Sequence, residues 1–134
     1  MSEPHKLQIV VFGKTGCDKC KVLNRRIDAL LEKDEWKSRF EKVYYDVETE
    51  EGIVTFCRSE CVNPQRVPAF VIHRFDEESG RYEPLPNPAP GTPREGCGHS
   101  LLYQYLGIQT DYSAEGKGLI TPKMIAAVMA EAVG

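Results

Sequence analysis

The chain has 134 residues, of which 41% are hydrophobic and 28% charged, with a formal net charge of −3 and a pI near 5.6. This length and balance suit one globular domain over residues 1–134 and exclude a disordered chain. The acidic balance argues against nucleic acid or an anionic membrane as partner, and no apolar run approaches the ~20 residues of a membrane-spanning helix.

The first element is Leu7-Gln8-Ile9-Val10-Val11-Phe12, a short apolar run dense in β-branched residues and closed by Gly13, which reads as a buried strand. From Cys17 the period changes. Val22, Leu23, Ile27, Leu30 and Leu31 recur at helical spacing, with Arg25, Arg26, Asp28, Glu32 and Lys33 on the other side. A helix over residues 17–33 is predicted, with Trp36 and Phe40 packing near its end. Residues 41–47 form a second strand ending in an acidic turn. A second helix is predicted over about 50–62, with Ile53, Val54, Phe56, Cys57 and Cys61 as its apolar positions and Asn63-Pro64 as its stop.

A third strand follows Pro68, a turn falls at Ser79-Gly80, and residues 81–85 return as a short edge strand. A β-α-β unit makes its two strands parallel, and the closing hairpin is antiparallel. The expected fold is α/β, a four-stranded mixed sheet flanked by helices. Thr121 as N-cap and Pro122 at the first helical position open a last helix, running to 133. Before it lies a Pro-rich excursion at about 86–120, in which Ser100 is expected to cap a short helix over 101–106 stopped by Gly107. An insertion this long inside a domain is expected to act as a lid or docking surface.

The chemistry centres on Cys17-x-x-Cys20, placed between a strand and a helix. At a helix N-terminus, unpaired N–H groups and the helix dipole stabilise a thiolate, so a lowered thiol pKa is expected for Cys17. Cys20, one turn further in, can reach Cys17 to close or resolve a disulfide. The same spacing serves as half of a zinc site. Five cysteines is an odd number, which disfavours a fully paired structural framework. Cys57 and Cys61 are four apart on a predicted helix, where Cβ atoms are about 5–6 Å apart, too far for a bridge. They read as small core residues, with a Cys₃His metal set of Cys57, Cys61, Cys97 and His99 as the alternative. His73 falls mid-strand, where a packed or surface role is expected ahead of an acid–base one.

With a strand, Cys17-x-x-Cys20 at a helix start, a second β-α unit and Val67-Pro68 leading a hairpin, the chain resembles the thioredoxin-like superfamily. Within it the chain looks most like a glutaredoxin, since Lys14 stands three residues before Cys17 and Arg66-Val67-Pro68 takes the place of a Thr-Val-Pro segment. The resemblance covers about residues 6–85 and the last helix, and implies a three-layer sandwich. After the hairpin, Glu83-Pro84-Leu85-Pro86 replaces the Gly-Gly and acidic residue with which glutaredoxins hold glutathione.

The resemblance implies a thiol–disulfide oxidoreductase with Cys17 as nucleophile and Cys20 as resolving thiol. It implies a cis Val67-Pro68 peptide beside them whose backbone pairs with substrate, and it assigns Lys14 to the substrate site. The implied substrates are protein disulfides or glutathione mixed disulfides, with glutathione admitted as co-substrate and no tightly bound cofactor. A metal or iron–sulfur module on the same fold, and a partner-binding adaptor, are the alternatives. The expected protein is a monomer. A cytoplasmic location is expected, because residues 7–12 are too short for the apolar region of a secretory signal.

Overall fold

The structure, a computed structural model, describes residues 6–58, 67–88, 101–102, 104–110, 112, 118 and 120–133. The elements run β1 (Leu7–Gly13), α1 (Asp18–Leu31), α2 (Asp34–Lys37), β2 (Phe40–Asp46), α3 (Glu50–Arg58), β3 (Ala69–Asp76), β4 (Arg81–Pro84), β5 (Gly107–Gln109) and α4 (Pro122–Val133). β1 lies at the centre of the sheet. It pairs parallel with β2, from Leu7 opposite Phe40 to Gly13 opposite Asp46, and antiparallel with β3, from Gln8 opposite His73 to Phe12 opposite Ala69.

The alternation of side chains along these strands divides the core in two. Ile9 and Val11 of β1, with Phe70 and Ile72 of β3, face one way. They meet Leu23, Ile27 and Leu30 of α1 and Met124, Ile125, Val128 and Met129 of α4. Val10 and Phe12, with Ala69 and Val71, face the other way and meet Val47 and Phe56. The Phe56 ring stands edge-on to Phe12 at 5.3 Å. Trp36 and Phe40 close the end of the first layer as an edge-on pair at 5.8 Å. The fold is α/β, a mixed sheet with α1 and α4 on one face and α3 on the other.

Among the described residues the sheet has five strands where the sequence predicts four. The fifth comes from the excursion. β4 pairs with the second half of β3, from His73 to Asp76, and β5 takes the first half of the same edge, from Ala69 to Val71. The two strands meet at Ile72. Its carbonyl accepts from Leu85 N–H at 2.8 Å, its own N–H donates to the Leu106 carbonyl at 2.9 Å, and Leu106 N–H donates to the Leu85 carbonyl at 2.9 Å.

The expected helix at 101–106 is absent from the described part of that stretch. Leu101 instead bridges Ile108, and Tyr105 bridges Pro86. Gly107 is not a helix stop. A Cβ there would collide with the Phe70 carbonyl and Val71 Cα, so glycine is what lets β5 lie against β3. Leu102, Leu106, Ile108 and Ile120 are all buried, so these described residues of the excursion belong to the core.

The other boundaries move by a few residues. α1 starts at Asp18 with Cys17 as its N-cap, and Thr121 caps α4 by accepting from Met124 N–H at 3.2 Å. The predicted end of the second helix at 59–62, the Asn63-Pro64 stop, the Pro-rich residues from 89 onward and Ser100 lie outside the described residues.

Candidate functional site

β1 ends in Gly13, and the loop to α1 turns through Gly16, whose φ of 78° is the left-handed region that favours glycine. Gly13 is a close-approach position, since a Cβ there would lie 2.8 Å from Tyr44 Oη and 3.1 Å from Cys20 Cβ. The loop delivers Cys17 in extended conformation (φ −90°, ψ 109°) to the N-cap of α1. There its sulfur accepts from Cys20 N–H at 3.1 Å, as a capping oxygen does in other helices. Cys17 and Cys20 are bonded as a disulfide, with Cα atoms 5.2 Å apart. Their surroundings differ. Cys17 is half-buried, whereas Cys20 is 2% exposed and belongs to the apolar layer with Val10 and Phe12.

Lys14 is exposed, and its carbonyl accepts from Cys17 N–H at 3.4 Å, so the lysine stands at the rim of the pair. Asp18, Lys19 and Lys21 are exposed on the first turn, three cations to one anion when Lys14 is included. Thr15 Oγ1 donates to Asp46 at 3.3 Å and ties the loop to the end of β2.

The Val67-Pro68 peptide is cis. Val67 is buried in the same apolar layer as Cys20, against which Cys17 packs, so the two segments named from the sequence converge at one end of the sheet.

The residues that frame the Val67-Pro68 segment carry no recognisable pattern in the sequence. Beyond β5, Thr110 N–H donates to the Pro68 carbonyl at 3.1 Å, and Thr110 Oγ1 donates to the same oxygen. Tyr112 Oη donates to the Val67 carbonyl at 2.6 Å. Lys19, between the two cysteines, donates to the Gly118 carbonyl at 3.3 Å, and its ammonium lies 5.9 Å from the centroid of the Tyr112 ring. Arg26 donates to the Ile120 carbonyl at 2.6 Å. Between α1 and this segment runs a mainly apolar cavity of about 200 Å³, whose lining includes Lys19, Val22, Leu23, Arg26, Pro68 and Ile120.

Of the other predicted ligands, Cys57 is exposed on α3, which corrects its reading as a core residue. The helix turns Gly52 and Phe56 inward, and Cys57 falls about 100° round the axis from Phe56. Cys61, Cys97 and His99 lie outside the described residues. Among the described residues no group of three or more His, Cys, Asp or Glu side chains gathers as a metal site. His73 is buried at the far end of β1 from the cysteines, opposite Gln8. Burial pushes its pKa down to about 4, against a smaller opposing effect of Glu83.

The fold and this pair define the class: a thioredoxin-like fold with a Cys-x-x-Cys disulfide at the N-terminus of its first helix. Among solved structures the chain is similar to a chloroplastic thioredoxin z, described for type-specific target recognition. The match has a TM-score of 0.51 and 19% identity, and covers 96% of this chain and 80% of that one. No family model and no curated protein matches the sequence. No helix among the described residues is long and apolar enough to cross a membrane.

Proposed function

We propose that the protein is a thiol–disulfide oxidoreductase that reduces protein disulfides or glutathione mixed disulfides in the cytoplasm. The observation that carries this reading is the asymmetry of the pair: Cys17 half-buried at the helix N-cap, Cys20 buried behind it and bonded to it. In the reduced protein the Cys17 thiolate attacks one sulfur of the substrate disulfide. That S–S bond breaks, a Cys17–substrate mixed disulfide forms, and the far sulfur leaves as a thiolate that takes a proton from solvent. The Cys20 thiolate then attacks Cys17 Sγ, closes the internal disulfide and releases the second substrate thiol. Two electrons pass from the dithiol to the substrate. A thiol reductant, glutathione included, reverses the sequence and restores the dithiol.

Lys14 supplies positive potential at the rim, and Val67-Pro68 presents backbone to the substrate. The reading requires no tightly bound cofactor and describes a monomer. Protein disulfides as substrates are supported by the likeness to a thioredoxin whose structure was described in terms of target recognition.

The test is a redox titration with mass-spectrometric mapping of thiol pairing, on protein first checked for bound metal. A two-electron couple confined to Cys17 and Cys20, and disulfide reduction lost in Cys17→Ser, are the expected results. Reduction that persists in Cys17→Ser, or a pair formed elsewhere, would falsify the assignment.

A further inference from the structure

The carbonyl of Val67 does not stand open. It accepts from Tyr112 Oη at 2.6 Å, and the Pro68 carbonyl beside it accepts from Thr110. The two bonds differ in kind. Thr110 directly continues β5, whose Gln109 stands opposite Ala69, so it extends the ladder by one residue with its backbone N–H. Tyr112 reaches Val67 with a side chain instead. The residue is 47% exposed, so its ring can leave towards water without opening the core. A phenol titrates near 10 and burial raises that further, so the hydroxyl is a donor at neutral pH. Lys19 and Gly118 flank the ring, the first as a cation 5.9 Å from its centroid.

We propose that Tyr112 is a specificity-determining residue: its hydroxyl occupies the backbone acceptor that an extended polypeptide substrate needs at Val67. This rests on the reading of Val67-Pro68 as the substrate-pairing segment. A peptide disulfide must displace the phenol and donate its own N–H to that carbonyl. A small disulfide makes no such bond and reacts at Cys17 with Tyr112 in place. Tyr112 thus disfavours extended chains relative to compact disulfides, by the factor that one neutral hydrogen bond is worth.

The experiment uses the full chain, reduced, in single turnover. One probe is a linear peptide whose central cysteine carries a mixed disulfide with 2-mercaptoethanol, and the other is bis(2-hydroxyethyl) disulfide. The ratio of their rate constants, peptide over small disulfide, is compared between wild type and Tyr112→Phe, which keeps the ring beside Lys19. The ratio is expected to rise about three- to tenfold. A ratio within twofold of wild type, or a fall, overturns the proposal. Failure of wild type to reduce even the small disulfide counts against the oxidoreductase reading instead.

A second measurement leaves the hydroxyl in place. With 3-fluorotyrosine at position 112 alone in a Cys20→Ser background, the fluorine resonance should move when the peptide is trapped on Cys17. It should stay when Cys17 is capped with 2-mercaptoethanol. The same resonance in both adducts overturns displacement.

Discussion

The N–H of Cys20 donates to the sulfur of Cys17 across 3.1 Å, so the side chain of Cys17 caps the helix in whose first turn Cys20 stands. An anionic sulfur is a better acceptor than a disulfide sulfur, so the same N–H favours a thiolate at Cys17 once the bond is reduced. In reduced protein, iodoacetamide at mildly acidic pH should therefore modify Cys17 ahead of Cys20, and ahead of Cys57 although Cys57 is exposed. Peptide mapping after a timed quench reads the order. Modification of Cys57 first would remove the case for a stabilised thiolate at the helix start.

Lys14 contributes charge at an exposed site, and its side chain makes no hydrogen bond or ion pair among the described residues. Its effect should be small and screened. Lys14→Gln is expected to slow Cys17 alkylation by about twofold at low ionic strength and by less at 0.5 M salt. A loss that salt does not reduce would mean that Lys14 acts by contact.

Gly107 admits β5 to the edge of β3, and added volume there meets the Phe70 carbonyl. Gly107→Ala should destabilise the protein by about 1–3 kcal/mol, the usual range for overpacking. Truncating the neighbouring fully buried Ile108 to alanine should cost about 2–5 kcal/mol. Urea unfolding of the two variants measures both. Changes under 0.5 kcal/mol would mean that β5 is peripheral to the sheet.

His73 links stability to pH. Its folded pKa, pushed down to about 4 by burial, lies below the ordinary value near 6.5. Between these values the unfolded chain binds the proton and the folded one does not. Stability therefore rises with pH across that window and is lost as pH falls from about 6.5 towards 4. The contribution is on the order of 3 kcal/mol. His73→Phe should flatten the stability–pH curve over that window, as followed by denaturant midpoints at half-unit intervals. An unchanged slope would assign the pH dependence to other groups.

The parts of the fold that were legible in the sequence are those with a repeating local pattern. The runs of β1 and β3 and the helical spacing of Leu23, Ile27 and Leu30 report burial directly, because each pattern is decided by one face of one element. β5 carries no such pattern in its three residues. The stretch Leu101-Leu102-Tyr103-Gln104-Tyr105-Leu106 even imitates a helix, and only the vacant half of the β3 edge decides against it. Cys57 was misplaced because an amphipathic segment shows that it has an inner face without showing how narrow that face is. Here the contact of Gly52 with the Asp46 carbonyl sets it. The Cys-x-x-Cys pair could be read because its spacing is itself the chemistry. Tyr112 could not, since nothing around it in the sequence points to a carbonyl 45 residues away.

The bond from Lys19 to Gly118 joins residues 99 apart, and that from Arg26 to Ile120 joins residues 94 apart. The cysteines belong to the first β-α unit, while the groups that frame them arrive at the other end of the chain. Closing loops of that size costs entropy before any contact returns it. The thiol pair is therefore set by local contacts, and its frame by contacts that close only when the last part of the chain is present. A chain still emerging from the ribosome presents the pair before it can present the frame.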